Sequence, residues 1–402
     1  MADASFPQKI LIVDADKSVA QALKLPLEKQ GIKVDAAADL GSALYMFNQA
    51  IYPVVFIDIA FEELPGLVLI QRWRSHENPD KANTGFILMS GNRNKGDAGE
   101  ERLVQELDDL EVVYKPINAI AVLGLLKKVM GIRQKRLRFR EISDQAYKLV
   151  SSSKTAASAI DFVKSNMKEH GIKGQDLLRE VHETQSQWKP ALDVVDSILK
   201  QKADHLSALN NKGRLLLKLG QTDEALKFME IADKQAPNNI DRINEMAIAY
   251  LVAKNPDLSV EKMRQLIKFH PDDPDVKFDL FAKLQEFGYD EQAIKLCKDT
   301  TMPLDVVRHY NNKGVALAKN NNIEGAILEY ERALKYFPKY KENYRILYNI
   351  ALAHLSYKNR SHYEIAQDYV NRCLELNPKF DKALKTKEQI ATQLGKGTRT
   401  AS

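Results

Sequence analysis

Small residues recur at a fixed interval through the second half of this 402-residue chain. Ala191, Ala225, Ser259 and Ala293 stand 34 residues apart, and Ala326 follows 33 later. A second set, Gly213, Ala247, Phe281 and Gly314, keeps step with the first at 34, 34 and 33 residues. Such a period demands stacked units of one shape, because a unit of about 34 residues cannot bury its apolar side alone. Small residues at matched places let two antiparallel helices approach closely. Pro237, Pro271, Pro338 and Pro378 then stop the second helix of a unit before the next begins. The expectation is an all-α superhelix over 172–395, in units of about 172–205, 206–239, 240–273, 274–306, 307–340 and 341–380, the last stretched around Ser356 to Ser361.

The first third has another rhythm. Val54 to Phe61 is an apolar run, preceded by the turn-forming Pro53, that presents one carboxylate, Asp58. An apolar run of this length reads as a strand buried on both faces. Lys9–Val13 is a similar run and leads into Asp14 and Asp16; Gly85–Met89 leads into Ser90, Gly91 and Asn92; Glu111–Tyr114 leads into Lys115 and Pro116. With a weaker strand at Lys33–Ala37 and helical spacing over Ser18–Gln30, Leu40–Ala50 and Ile117–Met130, the alternation predicts an α/β domain. Its core is a doubly wound, five-stranded parallel sheet.

In open α/β sheets chemistry gathers outside the carboxyl ends of the strands. Taken singly, each Asp reads as a helix cap or turn former and the Lys as a solvated charge. Together, Asp14, Asp16, Asp58, Ser90 and Lys115 fall at one edge. Clustered carboxylates attract a hard cation such as Mg²⁺, while a hydroxyl and an ammonium can hold phosphoryl oxygens.

Composition removes several alternatives. Fifty-nine basic against 54 acidic residues is too even a balance to imply nucleic-acid or membrane binding. Cys297 and Cys373 lie far apart, which suits buried thiols in a reducing compartment. No apolar run approaches the ~18 residues of a membrane span, and the N-terminus lacks a signal-peptide layout, so a cytoplasmic protein is expected. Seven of the fourteen residues from Lys127 to Arg140 are basic. This stretch reads either as a solvated connecting helix or as a surface for an acidic partner. It opens a helical linker over 133–171, with two helices expected between Asp144 and Gly171, joined at Ser151 to Ser153. No Gly-rich nucleotide loop of the Lys-Ser/Thr type occurs.

On these residues the segment 1–132, from about residue 8 onward, resembles the receiver domain of two-component response regulators, a flavodoxin-like fold. The resemblance implies that Asp58 is the phospho-accepting residue (as 4-aspartylphosphate) and that Ser90 and Lys115 assist, Lys115 with Pro116 closing the site. It implies Mg²⁺ on Asp14, Asp16 and Asp58, and a loop glycine at Gly66, eight residues after Asp58. Three departures stand out. Ala15 replaces an acid expected beside Asp14, so metal affinity should be reduced, and Asp16 either compensates or caps the next helix. Glu62 replaces a loop proline, and Val112 stands where many relatives carry a mobile aromatic.

Residues 172–380 resemble the tetratricopeptide repeat (TPR), most clearly from Asn210-Asn211-Lys212-Gly213 to Pro237 and from Asn311-Asn312-Lys313-Gly314 to Pro338. That implies a concave face binding a protein or peptide, with Asn210, Asn211, Asn311, Asn312 and Lys313 gripping the partner's backbone or carboxylates. The expected function is a phosphorelay response regulator: a histidine kinase or phosphotransfer protein phosphorylates Asp58, and this controls what the repeats bind. The alternative is a scaffold with an unphosphorylated receiver that only docks. Neither an enzymatic output domain nor a DNA-binding domain is expected.

Overall fold

The computed structural model describes residues 6–61, 64–91, 98–107, 109–152, 155–167 and 170–396; Glu62, Asn92 and Ser153, singled out above, lie outside them. The chain forms two compact units, residues 1–269 and 270–402.

The first unit opens with β1 (Lys9–Val13), α1 (Lys17–Glu28), β2 (Lys33–Ala37), α2 (Leu40–Gln49) and β3 (Val54–Asp58). It continues through α3 (Gly66–Arg74), the short α4 (Pro79–Ala82), β4 (Gly85–Ser90), α5 (Ala98–Glu106) and β5 (Glu111–Tyr114). The five strands form one parallel sheet in the order β2-β1-β3-β4-β5. The order reverses between β1 and β3, so a crevice opens at their carboxyl ends, where Asp14 and Asp58 stand. One face is packed by Ile10, Ile12, Val54, Phe56, Ile87 and Met89 against Leu23 and Leu27 of α1 and against Val122, Leu126 and Val129.

Those last three lie on α6 (Ala119–Val150), which begins at Asn118, whose side chain accepts from Ile120 N at 2.8 Å. At 32 residues α6 runs well past the helix expected at Ile117–Met130 and carries the basic stretch without a break. The helix expected just after Asp144 is its last part, and α7 (Ala156–Asn166) follows before the repeats. The physical reason is that packing continues past Met130: Phe139 and Ile142 join a cluster with Val163 and Leu177. Arg136 also donates to Thr84 O at 2.8 Å.

Antiparallel helix pairs follow: α8 (Gly171–Thr184) with α9 (Trp188–Gln201), α10 (Leu206–Lys218) with α11 (Thr222–Gln235), and α12 (Ile240–Val252) with α13 (Pro256–Phe269). The second unit continues the pattern with α14 (Pro274–Glu286), α15 (Asp290–Thr300), α16 (Pro303–Lys319), α17 (Ile323–Tyr336), α18 (Tyr344–Leu355), α19 (Arg360–Leu376) and a final α20 (Asp381–Lys396). The periodic small residues do what close packing requires. Ala191, Ala225, Ser259, Ala293 and Ala326 are fully buried, and Ser259 donates its hydroxyl to Ala247 O of the paired helix at 2.8 Å. A Cβ on Gly213 would lie 2.6 Å from Met229 Cγ, and one on Gly314 would lie 2.3 Å from the Tyr330 ring. Helices α11, α13, α17 and α19 each end two residues before Pro237, Pro271, Pro338 and Pro378.

Candidate functional site

Three loops at the carboxyl edge of the sheet bring charged side chains together. Lys115, just beyond β5, places its Nζ 2.7 Å from Asp58 Oδ2 and 2.7 Å from Asp14 Oδ2. The Asp14 side chain is almost wholly buried, while the Asp58 carboxylate and the Lys115 ammonium side chain are 17% and 20% exposed, so the acceptor is shielded but reachable. Burial opposes the Lys115 charge, yet hydrogen bonds to Asp14 and Asp58 and their charges outweigh it and hold the ammonium pKa above its ordinary value. Lys115 N donates to Ser90 O at 2.9 Å, and the Lys115–Pro116 peptide is cis. Ser90 lies on β4 one position past Met89, the cross-strand partner of Asp58.

The loop after β3 comes back over Asp58. Ala60 N donates to Asp58 Oδ1 at 3.2 Å, and Gly66 N donates to Ile59 O at 3.1 Å. A Cβ on Gly66 would stand 2.2 Å from the Asp58 carbonyl oxygen, so only glycine lets α3 start this close to the acceptor. Asp16 serves as the N-cap of α1: its side chain accepts from Ser18 N at 2.9 Å, and the Ser18 hydroxyl together with that backbone bond lowers its pKa. The Asp16 backbone N donates to Asp14 Oδ1 at 2.9 Å. Of the two readings of Asp16, the geometry adopts the cap. The acids that face each other are Asp14 and Asp58, and among the described residues no three acidic, His or Cys side chains converge on one point. Two carboxylates on one ammonium are still a donor set that suits Mg²⁺, which takes one or two protein carboxylates and keeps several waters.

The repeat residues also have partners. Asn210 Nδ2 donates to Glu245 Oε2 at 2.7 Å, and Asn211 Nδ2 to Asp176 Oδ1 at 3.2 Å. In the second unit Asn311 accepts from Asn349 Nδ2 at 2.7 Å, Lys313 stands 3.4 Å from Glu329, and Asn312 is exposed. The sequence reading did not single out Glu245 and Asp176, although each stands one repeat (35 residues) from an asparagine it binds. That spacing was the signal available.

Nor did it single out the contact between the sheet domain and the first repeats. Gln71 of α3 accepts from Ile240 N at 2.8 Å and donates to Asn238 O at 3.0 Å, so it caps α12 from outside. Arg102 of α5 pairs with Asp204 at 2.7 Å, and Lys173 of α8 pairs with Asp109 at 2.7 Å. Glu106, the last residue of α5, pairs with the fully buried Arg242 of α12 at 2.8 Å.

Residues 10–127 match the response regulator receiver domain family, and residues 181–240 and 311–359 match the tetratricopeptide repeat family. The virulence transcriptional regulatory protein PhoP of Salmonella typhimurium is 33% identical over 69 residues, which are 17% of this chain and 31% of that protein. The transcriptional regulatory protein PhoP of Escherichia coli is 32% identical over the same length. The chain thus spans under a third of the length of these curated relatives. Among solved structures, a CheY-like receiver domain from Methylobacillus flagellatus is 27% identical and covers 30% of this chain and 98% of its own, with a TM-score of 0.26. The chemotaxis response regulator CheY4 of Vibrio cholerae is 21% identical and covers 30% of this chain and 97% of its own, with a TM-score of 0.27. No described helix is long and apolar enough to cross a membrane. The family matches and the five-stranded parallel sheet agree: this chain carries a response regulator receiver domain joined to tetratricopeptide repeats.

Proposed function

We propose that this chain is a phosphorylation-responsive adaptor. A histidine kinase or phosphotransfer protein places a phosphoryl group on Asp58, and the change alters what the repeats bind. The observation that carries the reading is the single ammonium of Lys115 held 2.7 Å from both Asp58 and Asp14 at the sheet's switch point. An Asp58 carboxylate oxygen forms a bond to phosphorus as the bond from phosphorus to the donor's imidazole nitrogen breaks, and the electron pair returns to that nitrogen. Lys115 already touches the acceptor oxygen and holds the phosphoryl oxygens by charge, and the Ser90 hydroxyl donates to one of them. Asp14 and Asp58 would hold Mg²⁺, which offsets charge between the carboxylate and the incoming phosphoryl group.

Output follows from chain order. Ser90 ends β4, and the next described element is α5, whose last residue grips Arg242 of the repeats. Phosphorylation acts only by favouring one of two existing arrangements, so the added charge must be felt differently in each. Intact mass after incubation with acetyl phosphate and Mg²⁺ tests the acceptor: one added phosphate is expected, and it must vanish in Asp58→Asn. Affinity capture with wild-type and Asp58→Ala baits then tests control of the partner.

A second reading has its own support. Ala15 and the use of Asp16 as a helix cap leave Asp14, among the described residues, as the acid that shares Lys115 with Asp58. A receiver that never gains phosphate would then be a docking domain for the repeats, and absence of any mass gain would select that reading.

A further inference from the structure

The first faces of α8, α10 and α12 enclose a polar groove of about 350 Å³, and Glu106 of the receiver stands at its wall. Its charges do not balance. Arg179 is held by Asp176 at 2.6 Å, by Glu180 at 3.0 Å and by Glu183. Arg214 is shared between Glu183 at 2.5 Å and Glu245 at 3.2 Å. Glu106 is matched by Arg242 and drops out of the balance. The groove's remaining carboxylates, Asp176, Asp241 and Glu245, therefore face two guanidinium groups that Glu180 and Glu183 outside its lining also draw on, and the exposed Asp241 has no ion pair among the described residues. A second observation points the same way. Asn210 is nine-tenths buried, its Nδ2 is committed to Glu245, and its Oδ1 faces no donor among the described residues. A buried acceptor left unmade costs free energy that an arriving N–H recovers.

We propose that this groove binds an extended cationic peptide segment, with a Lys or Arg side chain of the partner against Asp241 and Glu245 and an N–H donated to Asn210 Oδ1. The proposal rests on reading the repeats as the partner-binding part of the chain, and it names the partner's chemistry: cationic, not the carboxylates expected from the asparagines alone. Carboxylates in excess across a groove select a positive partner and repel a negative one. Burial, against the opposing pull of Arg214 and Asn210 on α10, pushes the Glu245 carboxyl up to about 7, with Asp241 on its own helix and Glu183 on α8 adding to the rise. A carboxyl so raised is protonated below that pH and ionised above it. A cation binds the ionised form, so affinity should fall as pH drops from 8 to 6, by roughly tenfold for one linked proton.

The test uses the full chain and two fluorescein-labelled nonapeptides, one alternating Lys and Ala and one alternating Glu and Ala, read by fluorescence polarisation. The Lys peptide should bind and the Glu peptide should not. Glu245→Lys should weaken binding at least tenfold, and so should Asp241→Lys at an exposed position. Glu324→Lys, which changes net charge equally in the second unit, should leave binding within twofold. Tighter binding of the Glu peptide, no binding of the Lys peptide at about 1 mM, or equal weakening by Glu324→Lys would each overturn the proposal. Loss of binding in Glu245→Lys supports it whether or not phosphate on Asp58 changes the affinity; that comparison bears only on control by the receiver.

Discussion

Glu106 of α5 and Arg242 of α12, 136 residues apart, form a two-pronged ion pair with Oε1 to Nη1 at 2.8 Å and Oε2 to Nη2 at 3.2 Å. The arginine is fully buried and the glutamate side chain is 4% exposed. Arg242 also donates to Ala236 O, and its Nε lies 3.7 Å from Asp233, which Lys262 holds at 2.5 Å. The receiver thus meets the repeats through a charge pair removed from water, with Gln71 capping α12 beside it.

Breaking that pair from one side should be costly. Removing one partner of a buried pair strands the other charge, an effect of about 3–5 kcal/mol. Glu106→Leu should sit at the lower end, because Asp233 and Ala236 O still face the guanidinium. The double variant with Arg242→Leu should lose less than the sum of the singles. Urea unfolding of all four proteins gives the coupling, and strict additivity would mean the pair does not join the two parts.

Gly66→Ala should injure the acceptor site without touching a charged group. The new methyl would meet the Asp58 carbonyl at 2.2 Å, and main chain in a buried strand yields little. A loss of about 1–3 kcal/mol is expected, together with slower phosphate uptake by Asp58. Thermal unfolding and intact mass report the two effects separately. An unchanged melt would show that the loop relaxes freely.

Ala15→Asp should tighten Mg²⁺ binding. The wild-type edge offers Asp14 and Asp58, with Asp16 occupied at Ser18 N, so a third carboxylate adds charge where it is short. Calorimetric titration of both proteins measures this directly, and equal affinities would reject it.

The two thiols should be inert in the native protein. Cys297 and Cys373 are fully buried, and burial raises their pKa values to about 12 and about 11, so almost no thiolate is present at pH 8. A colorimetric disulfide reagent should react with both only after denaturant is added. Prompt reaction of either in the folded chain would contradict this packing.

The sequence by itself determined the elements and their edge. Apolar runs too short for helices, each closing on a polar residue, place Asp14, Asp58, Ser90 and Lys115 at the ends of parallel strands, because β-α alternation leaves a parallel sheet few other arrangements. A 34-residue recurrence likewise marks Ala225 and Gly213 as contact points, since small residues at a fixed phase have one packing use. Tertiary structure decided what periodicity does not encode. Asp16 could have faced a metal or Ser18 N, and local backbone geometry chose the cap. Gly131 and the basic stretch could have ended the helix that begins at Ala119, but packing of Phe139 and Ile142 carried it to Val150. Above all, nothing near Glu106 in the chain points to Arg242: a pair 136 residues apart exists only once the sheet and the repeats have folded and docked, and its strength comes from the water that docking removes.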